Sequence, residues 1–497
     1  MSEAAQFPRQ PTAPVLLSRI CDLLSLPRAA GSVTGVTLAS NTVQPGDLYA
    51  ALPGAKTHGA RFATQAIAAG AAAVLTDTEG AGILGEAAVP VLIHPAPRTV
   101  LGAVSALVYG YPAAGLTTFG VTGTNGKTTV TYMLTAALEA LGVPTGLIGT
   151  TGTYVGGRRL PTQRTTPEAP DVQALMHQMR EEGVRALAME VSSHALVLGR
   201  VDAIRFDVAA FTNLSPDHLD FHKDMADYFA AKAGLFTEEH TRHAVINVDD
   251  EWGKRLRDQV TVSHETYALT GEADWTVRNV RAEAAGSTFE VIHGDDVVTA
   301  VVGSPGVFNV ANALAAIAML VAAGHPLNAV AAAIGSFRGV PGRMEVVPGP
   351  GPTVIVDYAH TPDAVDRALR AISPLTPGKI WCVIGCGGDR DAQKRPAMGR
   401  IAAELAAHVI VTDDNPRSED PAAIRAAVLA GAREAAAAEV DEIGDRAAAI
   451  ETAILGASTQ DCVVILGKGH ETGQEVAGVV HPFDDRQIAR QVLGVQS

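Results

Sequence analysis

The feature that most constrains this chain is a strand that runs into a Gly-rich turn and out again as a helix. Thr117-Thr118-Phe119-Gly120-Val121-Thr122 is an apolar, β-branched run, Gly123-Thr124-Asn125-Gly126 is a turn, and beyond Lys127 the residues Val130, Met133, Leu134, Ala137, Leu138 and Leu141 share one helical face until Gly142-Val143-Pro144. Such a unit belongs to a parallel sheet with helices on its faces. The turn also carries a chemistry. Gly123 and Gly126 let backbone N–H groups approach phosphate oxygens, the helix aims its positive end at them, Lys127 supplies a cation and the Thr128 hydroxyl suits Mg²⁺. Val121 stands five before Gly126, where the common phosphate loop has its first glycine, and this weakens a generic motor or GTPase reading. The plain alternative is a Gly-rich turn bearing a surface lysine.

Around this unit the chain alternates strand-like and helix-like runs, and its 497 residues exceed what one core usually holds. An α/β protein of three domains is expected. Residues 1–113 form a small α/β domain, with strand-like runs at 46–52, 73–75 and 89–93 and an Ala-rich helix near 63–69; residues 114–341 form the central phosphate-loop domain. Residues 342–497, with apolar runs at 354–356, 380–384, 409–411 and 463–466, form a separate doubly wound, Rossmann-like domain. Pro348-Gly349-Pro350-Gly351-Pro352 reads as a hairpin loop rather than a linker.

The composition excludes several classes. A formal charge of −15 argues against general nucleic-acid binding, so an anionic ligand needs a local basic pocket. No apolar stretch reaches the ~20 residues of a membrane span, and no membrane insertion is expected. The first residues carry no basic segment followed by an apolar core, so the chain is expected to stay in the cytoplasm. Cys21, Cys382, Cys386 and Cys462 lack metal-knuckle spacing and read as reduced core thiols.

Gly120-Val121-Thr122-Gly123-Thr124-Asn125-Gly126-Lys127-Thr128-Thr129 resembles the ATP loop of the Mur ligases, which build the peptide of peptidoglycan. Residues 188–194 (AMEVSSH), 213–220 (NLSPDHLD), 308–312 (FNVAN), 342–345 (GRME) and 357–363 (DYAHTPD) look like the family's motifs in the family's order. Cys386-Gly387-Gly388-Asp389-Arg390-Asp391, Asp414-Asn415-Pro416-Arg417 and Gly467-Lys468-Gly469-His470-Glu471 resemble the member that adds the third amino acid, in the form associated with meso-diaminopimelate rather than L-lysine. That fits the chemistry: Arg390 and Arg417 can fork carboxylates, while Asp414 and Glu471 can accept from an ammonium.

The resemblance implies an ATP-dependent amide ligase acting on UDP-N-acetylmuramoyl-L-alanyl-D-glutamate through an acyl phosphate, because an amine does not displace oxide from a carboxylate. It assigns ATP to Gly123, Thr124, Asn125, Gly126, Lys127, Thr128, Thr129, Asn309 and Arg343, and the amino acid to Arg390, Asp414, Asn415, Pro416, Arg417, Gly467 and Glu471. It assigns metal to Thr128, Glu190, His218 and Lys232, the last as a CO₂-derived carbamate, and gives Lys127, Glu190, His218 and Lys232 the catalytic roles. The UDP-sugar peptide falls to Leu38, Ser40, Ala55, Lys56, Thr57, Thr165, Thr166, Ser192 and Arg200. Ala39, Asn41, Arg164 and Leu198 depart from the familiar pattern there. A monomer that closes on its ligands is expected. Folylpolyglutamate synthetase shares the loop type and the chemistry, and a nucleotide-dependent switch is the reading from outside the enzymes.

Overall fold

The computed structural model describes residues 9–495 apart from 55–56, 161, 163, 284–285 and 436–437. Three main sheets follow one another along the chain. The first has four parallel strands, Gly35–Thr37, Asp47–Ala50, Ala73–Thr76 and Val91–Ile93, in sequence order. The second has eleven. Its parallel centre runs Thr145–Gly149, Ala186–Glu190, Thr117–Thr122, Phe206–Phe211, Thr241–Asn247, Ser263–Tyr267, so the phosphate-loop strand lies inside the sheet.

The pleat explains why these strands read as continuous apolar runs: both faces are covered. Phe119, Val121, Ala188, Val208 and Ala210 point to one side, against the helices Lys127–Ala140 and Val307–Ala322. Leu187, Met189, Ala209 and Phe211 point to the other. The face expected for Lys127–Ala140 is buried at Val130, Met133, Leu134, Ala137 and Leu138, with Leu141 partly buried at its end. Each of its large side chains contributes roughly 1.5–3 kcal/mol. The apolar cluster on the second face continues without a break into the first sheet's core, through Leu101, Val104 and Leu107 of the helix Pro97–Val108 and Val172, Leu175 and Met179 of the helix Ala169–Glu181.

The central sheet is wider than the parallel pattern suggested. Trp275–Glu283, Gly286–His293 and Asp296–Val302 extend one edge with antiparallel pairing, and Gly152–Val155 with Arg158–Leu160 extend the other. The third sheet runs Glu345–Val347, Thr353–Asp357, Cys462–Leu466, Ile380–Ile384, His408–Val411, Glu439–Glu442, with only the first pair antiparallel and separate apolar cores on its two faces. Residues 348–352 connect that antiparallel pair as the expected hairpin loop. All four cysteines are buried and unpaired. Among the described residues no helix is long and apolar enough to cross a membrane.

Candidate active site

Gly123 (φ +145°) and Gly126 (φ +89°) bend the chain between strand and helix, and neither could carry a side chain: a Cβ would stand 1.9 Å from Thr212 Oγ1 at the first and 2.5 Å from Asn312 Oδ1 at the second. The loop is braced by the residues after strand Phe206–Phe211. Asn125 N donates to Asn213 Oδ1 (2.9 Å), Thr212 Oγ1 to Asn125 O (2.6 Å) and Thr124 Oγ1 to Ser215 O (3.1 Å). Asp363, at the start of helix Pro362–Ile372, reaches the loop from the third sheet. Its Oδ2 accepts from Asn125 Nδ2 and Ser215 Oγ, both at 3.1 Å.

Two lysines converge on one carbonyl. Lys127 Nζ donates to Gly123 O and Thr124 O at 2.9 Å, and Lys232 Nζ, from helix Met225–Ala233, donates to Gly123 O at 2.8 Å. Lys232 is 1 % exposed, with its ammonium 4.6 Å from the centre of the Tyr228 ring. Burial, with Lys127 beside it, pushes the Lys232 amine well below the ordinary lysine range. Burial lowers Lys127 as well, against the pull of Glu190 and Asp217. Asp217 titrates below the usual carboxylate range, because His218, His360 and Lys127 together outweigh the burial that opposes it.

Glu190 is fully buried at the end of its strand and held by one residue, its carboxylate accepting from Thr150 N (2.8 Å) and Thr150 Oγ1 (2.9 Å). His218 has a left-handed backbone (φ 55°). Its ring lies edge-on to His194, 5.0 Å between centroids, and its Nε2 is 3.5 Å from Asp217 Oδ2. Among the described residues no three His, Cys, Asp or Glu side chains cluster as a ready metal site. The hard oxygens at hand, the Thr128 hydroxyl and the Glu190 carboxylate, fit an ion such as Mg²⁺ that takes few protein ligands and completes its shell with water and phosphate oxygen.

A cavity of about 450 Å³ opens beside the loop, between Asn125, Gly126 and Thr129 on one side and Arg343 on the other. Arg343 stacks 4.3 Å from the centre of the Tyr358 ring, and its buried Nε has no hydrogen-bond partner among the described residues. Asn309 also lines the cavity, but its amide is engaged with Ser304, Pro305 and Asn312, so it shapes the wall.

Tyr358 and His360 separate this space from a second cavity of about 60 Å³ at the strand ends of the third sheet. Arg390, Asp414, Asn415, Arg417, Gly467 and Glu471 line it. Pro416 does not; its carbonyl packs where a Cβ on Gly388 would stand, at 2.0 Å. Gly467 (φ +115°) is needed because a Cβ there would meet Asp414 Oδ2 at 2.4 Å. Arg417 is also left-handed (φ 54°) and donates through Nη1 to Gly388 O at 2.6 Å. The cavity is thus walled by both signs of charge.

Thr165, Thr166, Ser192 and Arg200 gather about Glu190. Thr165 Oγ1 is 3.1 Å from Thr150 Oγ1, Thr166 Oγ1 donates to Glu190 O (2.8 Å) and accepts from Ser192 N (3.2 Å), and Arg200 Nη1 donates to Thr166 O (3.2 Å). Arg200, Arg164 and Arg98 share the carboxylate of Glu168. Leu38, Ser40 and Thr57 lie on the first sheet's side: Leu38 packs on its core, Ser40 Oγ donates to Gln65 Oε1 (3.2 Å) and Thr57 O accepts from Gly54 N (3.2 Å). Ala55 and Lys56 lie outside the described residues.

Sequence reading gave no role to Asp217, Thr150, Asp363 or Glu168. Asp217 and Asp363 stood inside quoted motifs, which was the available signal; Thr150 and Glu168 carried none.

Comparison with known proteins agrees with this layout. Three family models match in order: "Mur ligase family, catalytic domain" over residues 32–109, "Mur ligase middle domain" over 121–320 and "Mur ligase, glutamate ligase domain" over 342–469. The chain is 50 % identical over 487 residues to the UDP-N-acetylmuramoyl-L-alanyl-D-glutamate--2,6-diaminopimelate ligase of Streptomyces coelicolor, covering 96 % of each chain. It is 48 % identical to the protein of the same name from Corynebacterium efficiens, over 95 % of this chain and 92 % of that one. A solved structure of a ligase with that name superposes with a TM-score of 0.70 at 33 % identity, covering 97 % of this chain and 99 % of the other.

Proposed function

The chain belongs to the Mur ligase family, and on that premise we propose that it joins meso-diaminopimelate to the γ-carboxylate of D-glutamate in UDP-N-acetylmuramoyl-L-alanyl-D-glutamate, forming ADP and phosphate. Family members use ATP and Mg²⁺. The observation that carries the reading is the shared wall. The cavity at the phosphate loop and the cavity of mixed charge meet at Tyr358 and His360, while the cluster around Thr166 meets the same loop region at Glu190.

In this reading ATP lies along residues 123–129 with its phosphates toward Lys127, whose ammonium exchanges Gly123 O and Thr124 O for phosphate oxygen. Arg343 offers the unpartnered Nε. Thr165, Thr166, Ser192 and Arg200 hold the peptide so that the D-glutamate γ-carboxylate faces the γ-phosphoryl group, and Leu38, Ser40, Ala55, Lys56 and Thr57 take the UDP-sugar. The carboxylate attacks phosphorus and ADP leaves; the amine then attacks the acyl phosphate carbon, and phosphate departs as the amine gives up its proton. Asp414 and Glu471 receive the ammonium of the distal end of diaminopimelate, and Arg390 and Arg417 its carboxylate, a group that lysine lacks.

Mg²⁺ would be held by Thr128, Glu190 and His218 with a carbamate on Lys232, and when bound it neutralises phosphate charge. The carbamate forms when the neutral Lys232 amine adds to CO₂ and releases a proton. What supports it is that Lys232 is buried against a second cation, where an anion is better placed than an ammonium. Domains over 1–113, 114–341 and 342–497, a monomer and a cytoplasmic location complete the proposal.

The test is ADP release by the purified protein with UDP-N-acetylmuramoyl-L-alanyl-D-glutamate and Mg²⁺, with meso-diaminopimelate, L-lysine or no amino acid. Stimulation by meso-diaminopimelate alone is expected. Stimulation by lysine would keep the ligase and refute the reading of residues 414–417. No stimulation by either would turn attention to a folate substrate, and slow hydrolysis indifferent to amino acids to a switch.

A further inference from the structure

Beneath the mixed-charge cavity lies a cation that no part of the reaction above uses. Lys468 is completely buried, 0 % exposed. Its Nζ donates to Asn415 Oδ1 (3.0 Å), Glu471 Oε2 (3.1 Å) and Gly473 O (2.7 Å), using all three of its protons. These partners come from three places: the loop after strand His408–Val411, the loop after strand Cys462–Leu466 and the start of the hairpin Gly473–Val476 and Val479–Pro482.

The bonds fix more than position. Asn415 Oδ1 accepts from both Lys468 Nζ and Glu475 N (2.9 Å), so a flipped amide would set its NH₂ against two donors. Asn415 Nδ2 must therefore face the other way, and it donates to Glu471 Oε2 at 2.7 Å. Oε2 thus takes both Lys468 and Asn415, while Oε1 takes part in neither bond. Glu471, whose side chain is 30 % exposed, lines the cavity with that second oxygen available to a ligand's ammonium.

We infer that Lys468 is a positioning residue for the amino acid: it locks the Asn415 amide and one oxygen of Glu471, leaving the other oxygen to receive the ammonium of the incoming substrate. The inference rests on the proposed amino-acid pocket. A carboxylate held from behind by a buried ammonium and an amide keeps one orientation, whereas an unheld one turns or draws water. The site is built for a cationic end of a zwitterion, and the lysine that builds it need not touch the substrate.

The experiment measures KM for meso-diaminopimelate and for ATP, together with Tm, in wild type, Glu471→Gln, Lys468→Met and the double variant. Lys468→Met is expected to raise the amino-acid KM by roughly 10- to 100-fold, the scale of losing a hydrogen bond to a charged group, with the ATP KM within about twofold. Because Lys468 acts through Glu471, the double variant should match Glu471→Gln within about twofold in KM and recover Tm relative to Lys468→Met. If Lys468→Met does not fold, the double variant against Glu471→Gln decides alone. Additive effects, an equal rise in the ATP KM, or a double variant that also fails to fold would overturn the inference, since each marks a merely structural lysine. If Glu471→Gln and Arg417→Ala both leave the amino-acid KM unchanged, the pocket itself has been misread. If they raise it and Lys468→Met does not, only the role of Lys468 falls.

Discussion

Gly149→Ala moves the proposed metal ligand without touching it. Gly149 ends the strand beside Ala186–Glu190, and its φ is not in the left-handed region, so alanine meets no backbone objection there. The objection is Glu190. A Cβ at 149 would stand 2.3 Å from Glu190 Oε1 and 3.1 Å from its Cδ. Restoring ordinary contact requires the carboxylate to retreat by about 1 Å, which strains or breaks its bonds to Thr150 at 2.8 and 2.9 Å. Crowding of this kind costs roughly 1–3 kcal/mol, or roughly 2–10 °C in Tm. Activity should suffer more, because displacing a reacting group by about 1 Å is worth about 100-fold. ADP release titrated with Mg²⁺ should show kcat lower by about 100-fold and a raised Mg²⁺ requirement. Gly146→Ala is the control: its Cβ would crowd the Met179 sulfur at 2.5 Å, on the same strand but away from any carboxylate, and should cost stability alone. If Gly149→Ala kept the wild-type Mg²⁺ dependence and kcat, Glu190 would not be the ligand.

Lys232 should announce itself in stability as well as activity. The folded amine titrates well below 10.5 and the unfolded one near it, so across that window the unfolded chain holds a proton the folded chain lacks, and stability rises with pH. Lys232→Met should flatten this rise and raise Tm at neutral pH in CO₂-free buffer, while abolishing ligation; an unchanged slope would mean that Lys232 is charged when folded. Wild-type enzyme depleted of CO₂ should lose activity and regain it with bicarbonate, and a carbamate signal with ¹³C-bicarbonate should vanish in the variant. Asp363→Ala should weaken the contact with Asn125 and Ser215, and scattering with all ligands bound should then show less compaction than wild type. Arg417→Lys, which loses the planar fork, should raise the meso-diaminopimelate KM about tenfold or more without improving L-lysine.

What the sequence made legible was local. The helix face after Lys127 repeats within a few residues, and the 348–352 loop lies between the two strands it joins. Six of the seven residues assigned to the amino acid share one cavity because each lies in a loop that follows the carboxyl end of a strand of the same sheet, and these loops converge. The rest depended on distance along the chain. Asp363 meets Asn125 across 238 residues, and nothing near either one announces the pairing. Asp217 acquires meaning only when the fold brings Lys127 and His360 to it. The antiparallel edge was obscured for a different reason. Its last strand leaves Val297 and Val301 exposed, so apolar residues there do not mark a buried face.

The continuity of apolar packing from the first sheet into the second makes the molecule unequal in how it can be divided. The first sheet finishes its core with Val172, Leu175 and Met179, residues supplied by the next stretch of chain. The third sheet encloses nearly all of both its cores itself. A gene fragment covering residues 342–495 should therefore yield a cooperatively melting product, whereas residues 9–113 alone should precipitate or remain unfolded. During synthesis the amino-terminal hundred residues must wait for the helix Ala169–Glu181 to emerge before they can settle.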